Sequence, residues 1–99
     1  VNDNKLHSHP KGLLGMTPLS LLALPLQQTA TVLHLTAPVD MPIEPKLLVR
    51  LGELGFLPGE QITVLRRGPG GREPIAVQIG DTIFALRTLE ASCISVELQ

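Results

Sequence analysis

Histidine, cysteine and arginine are the side chains here with the most chemistry to offer. His7 and His9 stand two apart in His7-Ser8-His9-Pro10. Imidazole nitrogen is a common ligand of Fe, Zn, Ni and Cu, and two neighbouring imidazoles can chelate. His34 is the third histidine. With a carboxylate such as Glu44 or Glu53 it could join a metal shared between molecules. A structural zinc site needs four ligands, and no cysteine or third histidine lies at ligand spacing from His7 and His9. The plainer expectation is a polar leader for the pair and a hydrogen-bonded core or rim position for His34. His7, His9 and His34 are the metal candidates, for Fe(II) or Zn(II), and nothing in the sequence requires either metal.

Cys93 is expected as a small buried hydrophobe before a final strand. No His or basic residue near it in sequence would activate a thiolate. Three His, one Cys and scattered carboxylates supply no nucleophile with its base, so the sequence points away from an enzyme. Gly68-Pro69-Gly70-Gly71 lacks the Lys-Ser/Thr and the following helix of a phosphate loop. It reads as a turn between strands. Arg66, Arg67 and Arg72 flank that turn. Guanidinium forks suit carboxylates and phosphates, so these three are candidates for docking an acidic surface. The plainer alternative is a solvated loop edge.

These groups need a fold to hold them, and composition bounds it. A chain of 99 residues, 43% hydrophobic and 17% charged, is one small globular unit. Only two residues are aromatic, both Phe. Base-stacking surfaces for single strands and aromatic grooves for proline-rich peptides both need more. A net charge of −1 gives no field to attract nucleic acid or an anionic membrane. One cysteine permits no internal disulfide and fits a reducing compartment. Residues 13–26 are apolar and follow Lys5 and Lys11, as in a signal peptide. Pro18, Pro25, Thr17 and Ser20 interrupt them, and the run is shorter than the ~20 residues that span a bilayer.

Residues 1–15 show no periodicity and are expected to be a leader before a natural start at Met16, with the folded unit at 16–99. Thr17-Pro18 is expected to open a helical turn, with Leu19, Leu22 and Leu26 on one face and Pro25 as its stop. Residues 29–37 alternate as a strand, Ala30, Val32 and His34 on one side and Thr31, Leu33 and Leu35 on the other. Asp40 is expected to cap a helix over 41–54 with Leu47, Leu48, Leu51 and Leu54 as its apolar stripe and Gly55 as its end. Phe56-Leu57 then returns an apolar pair to the core, before a Pro58-Gly59 turn. Strands follow over 61–67, 75–79 and 82–86, the last two joined by a Gly80-Asp81 hairpin turn. A helical turn at 88–92 precedes a strand over 94–98. The expectation is mainly β: a small five-stranded barrel closing its own edges, with one short helix inserted between strands 1 and 2.

Leu51-Gly52-Glu53-Leu54-Gly55-Phe56-Leu57-Pro58-Gly59-Glu60, followed by Ile62-Thr63-Val64, resembles the FeoA family. So does Ala85-Leu86-Arg87-Thr88-Leu89-Glu90-Ala91, followed by Ile94 and Val96. Pro74, Val77 and Gly80 fall where the family carries similar residues, and the likeness runs from Met16 to Leu98. The resemblance implies an SH3-like barrel and a small cytoplasmic accessory protein of bacterial ferrous iron uptake. It implies a partner, the FeoB permease with its GTP-binding domain, and no catalytic residues. Similar domains also follow metal-dependent repressors. Candidate partner contacts are Leu48, Phe56, Leu57, Arg66, Arg67 and Arg72, and a homodimer is a further expectation. Two alternatives stand beside docking: an Fe(II)- or Zn(II)-binding sensor module, and an activator that inserts an Arg into the permease GTPase. A nucleic-acid role is not expected.

Overall fold

The computed structural model describes residues 18–98. The expected leader, the start at Met16, the Thr17 cap, His7 and His9 lie outside them. Among the described residues one antiparallel sheet has six strands: β1 (Pro18–Ser20), β2 (Thr29–Leu35), β3 (Gln61–Gly68), β4 (Arg72–Ile79), β5 (Thr82–Leu86) and β6 (Ile94–Leu98). Their order is β1-β6-β2-β3-β4-β5, so β1 and β5 are edges. The sheet is open rather than the expected closed barrel of five strands.

The additional strand is β1, where a helical turn was expected. Pro18 suits the first residue of an edge strand, where a missing N–H is tolerated. Leu19 pairs with Val96 and Ser20 with Ser95. A 3₁₀ turn, Leu21–Ala23, follows, and Leu22 N–H donates to the Ser20 hydroxyl at 3.1 Å. Three residues per turn align i with i+3, so Leu21 and Leu24 are the pair driven into the core. Leu19 and Leu22 are only half-buried and Leu26 is exposed, contrary to the expected stripe.

In β2 the alternation holds for Ala30 and Val32, both buried, and then fails. Val32 pairs with Val96, and the next partners are His34 with Ser95. Two steps on β2 against one on β6 make a bulge, which shifts the facing of everything after it. His34 therefore lies exposed instead of following Val32 inward.

Helix α1 spans Pro45–Leu54, between β2 and β3, and starts four residues later than expected. Within a helix from 41, Pro45 would lack the N–H for residue 41 and clash with its carbonyl. At the first helical position it costs nothing. It also holds the preceding Glu44 extended, at φ −68° and ψ 136°, so Glu44 rather than Asp40 stands at the N-cap. Gly55 ends α1 with φ 119°, a left-handed conformation that favours glycine. Phe56 N–H then donates to Leu51 O at 3.1 Å, turning the chain so that the Phe56 ring enters the core. It meets Phe84 at 4.9 Å between centroids, tilted by 52°.

β3, β4 and β5 form a meander. Ile62 and Val64 on β3 and Ile75, Val77 and Ile79 on β4 are buried. Each fully buried aliphatic of this kind contributes about 1.5–3 kcal/mol. Gly80, at φ 59°, and Asp81 link Ile79 directly to Thr82 across a two-residue turn. Helix α2 (Thr88–Ala91) follows β5. Its first amide, Thr88 N–H, donates to the Glu73 carboxylate at 2.5 Å, and Arg87 N–H donates to Glu90 Oε1 at 2.8 Å. Two amides that a helix start leaves unpaired are thereby satisfied.

Candidate protein-docking surface

Arg66 and Arg67 are neighbours with different surroundings, and a second bulge is the cause. The β3–β4 register passes from Val64 opposite Val77 to Arg66 opposite Ala76, skipping Leu65. Arg66 is thus exposed beside Ala76 on the outer face, where a shallow groove also includes Pro74, Ile83 and Ala85. Arg67 lies opposite buried Ile75 at the rim of the core. Its Nη2 donates to Leu22 O at 3.1 Å and Leu24 O at 2.9 Å. Through Nη2 this guanidinium pins the 3₁₀ segment to β3, a structural role the sequence did not announce. Arg72 is exposed opposite Gly68 and lines a groove with Arg67, Glu73 and Thr88.

The hairpin end is tightly drawn. A Cβ on Gly68 would overlap the Glu73 carbonyl oxygen and lie 2.7 Å from its carbon and 3.0 Å from Pro74 Cδ. Glu73 carries the α2 cap described above. The Thr88 amide bond, foremost, and also the Thr88 hydroxyl and the Arg87 charge hold its carboxyl below the usual carboxylate range.

The second group of candidates surrounds α1. Phe56 has no exposed surface, so it is a core residue and not the partner contact expected of it. Leu48, with Leu47, is half-buried against the core. Leu57 points outward, 48% exposed, and its Cδ2 lies 3.9 Å from where a Cβ on Gly52 would stand. Of the expected stripe, Leu51 is buried but Leu54 is 42% exposed. Val49, two residues and about 200° round the helix from Leu51, is 61% exposed. Lys46, Arg50 and Glu53 share that open face of α1 with Val49 and Leu54. Val49 and Leu54 were not among the expected partner contacts, although Leu54 was expected on the apolar stripe. Val49 lies off the 47-48-51 stripe, and an apolar residue off the stripe was the available signal.

Phe56, from the α1 group, meets Phe84, which lines the Arg66 groove, so the two groups are linked through the core. Val49 and Leu54 with Lys46, Arg50 and Glu53 form one exposed set on α1, Leu57 is exposed just after it, and Arg66 stands on the outer hairpin face.

His34 is exposed, and among the described residues no three His, Cys, Asp or Glu side chains converge to hold a metal ion. Cys93 is buried, its Sγ 3.5 Å from Leu89 O, and burial pushes its thiol pKa up. No helix of the described residues is long and apolar enough to cross a membrane.

The FeoA domain model matches residues 19–98. Among solved structures, Stenotrophomonas maltophilia FeoA complexed with zinc, described as a procaryotic SH3 domain protein, is 39% identical. The match covers 80% of this chain and 89% of that one, with a TM-score of 0.68. Iron(II) transport protein A from Clostridium thermocellum is 31% identical over 81% of this chain and 45% of its own, with a TM-score of 0.68. A manganese-dependent transcriptional repressor shares the fold at a TM-score of 0.69 and 21% identity, over 85% of this chain and 43% of its own. No curated protein matches.

Proposed function

This chain belongs to the FeoA domain family, and from that premise we propose that it is a non-enzymatic accessory protein of bacterial ferrous iron uptake. It acts in the cytoplasm by docking on a FeoB-type permease. The ferrous iron role is supported by relatives named for iron(II) transport and by S. maltophilia FeoA, described as a candidate transport activating factor. Docking is carried by one observation: Val49, Leu54 and Leu57 expose aliphatic surface around α1. Such surface is worth covering, and a rim of Lys46, Arg50 and Glu53 is the usual polar border of a protein contact. No aromatic groove is present in the sequence to bind proline-rich peptide, so the contact is aliphatic and charged.

The test is capture of the permease's cytoplasmic domain by the purified chain, with and without guanine nucleotide and Fe(II). Wild-type capture that falls at least tenfold in Val49→Asp and Leu57→Asp, both exposed and both expected to fold, supports docking at α1. Capture indifferent to both substitutions removes α1 from the interface. No capture under any condition, with normal iron uptake in a deletion strain, removes the proposal.

The activator version adds that docking raises GTP hydrolysis. Arg66 and Arg72 are the exposed guanidiniums able to enter another site, whereas Arg67 is committed to Leu22 and Leu24. Hydrolysis measured with wild type, Arg66→Ala and Arg72→Ala decides it. The metal-module reading draws support from the zinc complex of S. maltophilia FeoA. Calorimetry with Zn(II) and Fe(II), on the whole chain and on one lacking residues 1–15, separates His7 and His9 from His34.

A further inference from the structure

The two edges of the sheet are treated differently. β1, described over Pro18–Ser20, carries a proline, which blunts an edge. β5 has five residues, Thr82 to Leu86, with no charge, no proline and no shift in its register with β4. Ile83 in its middle is 60% exposed. Such an edge is a template for another strand.

The register says which backbone groups are free. Ile79 and Thr82 flank a two-residue turn and form a hydrogen-bonded pair, so Val77–Phe84 and Ile75–Leu86 do too. The N–H and C=O groups of Ile83 and Ala85 consequently point away from β4, toward an edge that no strand among the described residues covers. An incoming antiparallel strand must meet these two residues.

Charge then selects the occupant. Asp81 stands immediately before β5 and Arg87 immediately after it, both exposed, with none but uncharged residues between. Among the described residues Asp81 makes no ion pair. Arg87 lies close enough to Glu73 to act on its carboxyl without being the leading cause of its shift. If a second copy lies antiparallel with Phe84 opposite Phe84, Ile83 falls opposite Ala85 and Asp81 opposite Arg87, each twice. That register satisfies the free groups of Ile83 and Ala85 in both copies, sets a bulky side chain against a small one, and pairs all four end charges. Registers centred one residue either way put Ile83 against Ile83 or Ala85 against Ala85 and leave the charges unmatched.

We propose that the free edge of β5 is a self-association surface, on which two copies of this chain pair antiparallel about a two-fold axis at Phe84. The surface is distinct from the α1 rim, so it stands or falls independently of the docking proposal. A strand of this length is smaller than a standard interface, so the dimer is weak, reversible and concentration-dependent.

Sedimentation equilibrium of the full chain tests it, over about 10–500 μM, the range in which so small an interface fills. A growing dimer fraction is expected. Asp81→Lys and Arg87→Glu each set like charges opposite one another twice and weaken self-association about 10- to 30-fold. An equimolar mixture of the two variants restores opposite charges at both ends and recovers wild-type association to within about threefold. Ile83→Lys, which charges the middle of the edge, abolishes the dimer in every combination. Each variant is first confirmed folded by circular dichroism. Should Arg87→Glu fail to fold, the loss with Asp81→Lys and its rescue by Asp81→Lys/Arg87→Asp carry the test. A chain monomeric throughout, as when this edge serves another protein, overturns the proposal. So does a dimer indifferent to Asp81→Lys and Arg87→Glu, or a loss that mixing does not recover.

Discussion

Replacing Arg67 by Met asks whether this guanidinium is structural or a docking group. Met keeps most of the aliphatic stem and removes both hydrogen bonds, to Leu22 O at 3.1 Å and Leu24 O at 2.9 Å. Leu24 is fully buried, so its carbonyl is left with little water to replace the lost donor. A hydrogen bond to a charged group is worth about 1.5–3 kcal/mol, toward the low end where water has partial access. Two of them, less what solvent restores at Leu22, give a loss of about 2–3 kcal/mol. In a domain of this size that lowers Tm by about 10–20 °C. Arg67→Lys can keep one bond and should lose about half as much. Arg66→Met, on the exposed face of the same strand, should stay within about 0.5 kcal/mol of wild type. Urea unfolding with an unchanged m-value is the assay. An Arg67→Met protein within about 0.5 kcal/mol of wild type would refute the reasoning. So would an Arg66→Met protein that loses as much as Arg67→Met. Below its Tm, Arg67→Met should still capture the permease domain; lost capture in a folded variant would return Arg67 to the interface.

Three further outcomes follow from the geometry. Gly68→Ala drives a methyl into the Glu73 carbonyl and should cost about 1–3 kcal/mol by urea unfolding, although Gly68 needs no unusual φ; an unchanged midpoint would show that the hairpin end relaxes freely. Glu73 has a lowered carboxyl pKa in the fold, so its stabilisation is complete above the ordinary Glu value and is lost as pH falls through the folded value; Glu73→Gln should flatten that acid-side decline, and a parallel pH profile would deny Glu73 its capping role. Cys93, buried with a raised pKa, should be alkylated by iodoacetamide only at the rate of unfolding, and rapid labelling of native protein would contradict its burial.

Where local spacing decides structure, the sequence was readable. Ile75, Val77 and Ile79 alternate and are buried, and Gly80-Asp81 made the turn its composition specified. Gly55 ended α1 as expected. The mistakes arise where a distant partner decides. Pro18–Ser20 is a strand because β6 offers a ladder 75 residues on, which three residues cannot announce. The bulges after Val32 and Val64 are set by strands β6 and β4, and each changed the fate of a candidate. One put His34 outside, and the other turned Arg67 to the core rim and left Arg66 in solvent. Phe56-Leu57 read as an apolar pair, yet the turn after Gly55 sends one ring inward and leaves the other side chain on the surface. Burial of single members of a pair is a tertiary outcome, and the exposed aliphatic surface around α1 was obscured for that reason.

The place of β6 in the sheet has a consequence for how the protein is made. It is the last described strand in sequence but lies between β1 and β2, bonded to both. On a ribosome the β3–β4–β5 meander can close as soon as it emerges, because each strand pairs with its immediate neighbour. β2 must wait for its far side to be covered until about 60 more residues have been translated, or about 3–12 s at ordinary elongation rates. During that interval its row of amides and carbonyls on the β6 side has no strand to pair with. Thr29 and Thr31, rather than two more aliphatics, occupy half of its first four positions, which keeps the waiting strand less sticky than its final burial would suggest.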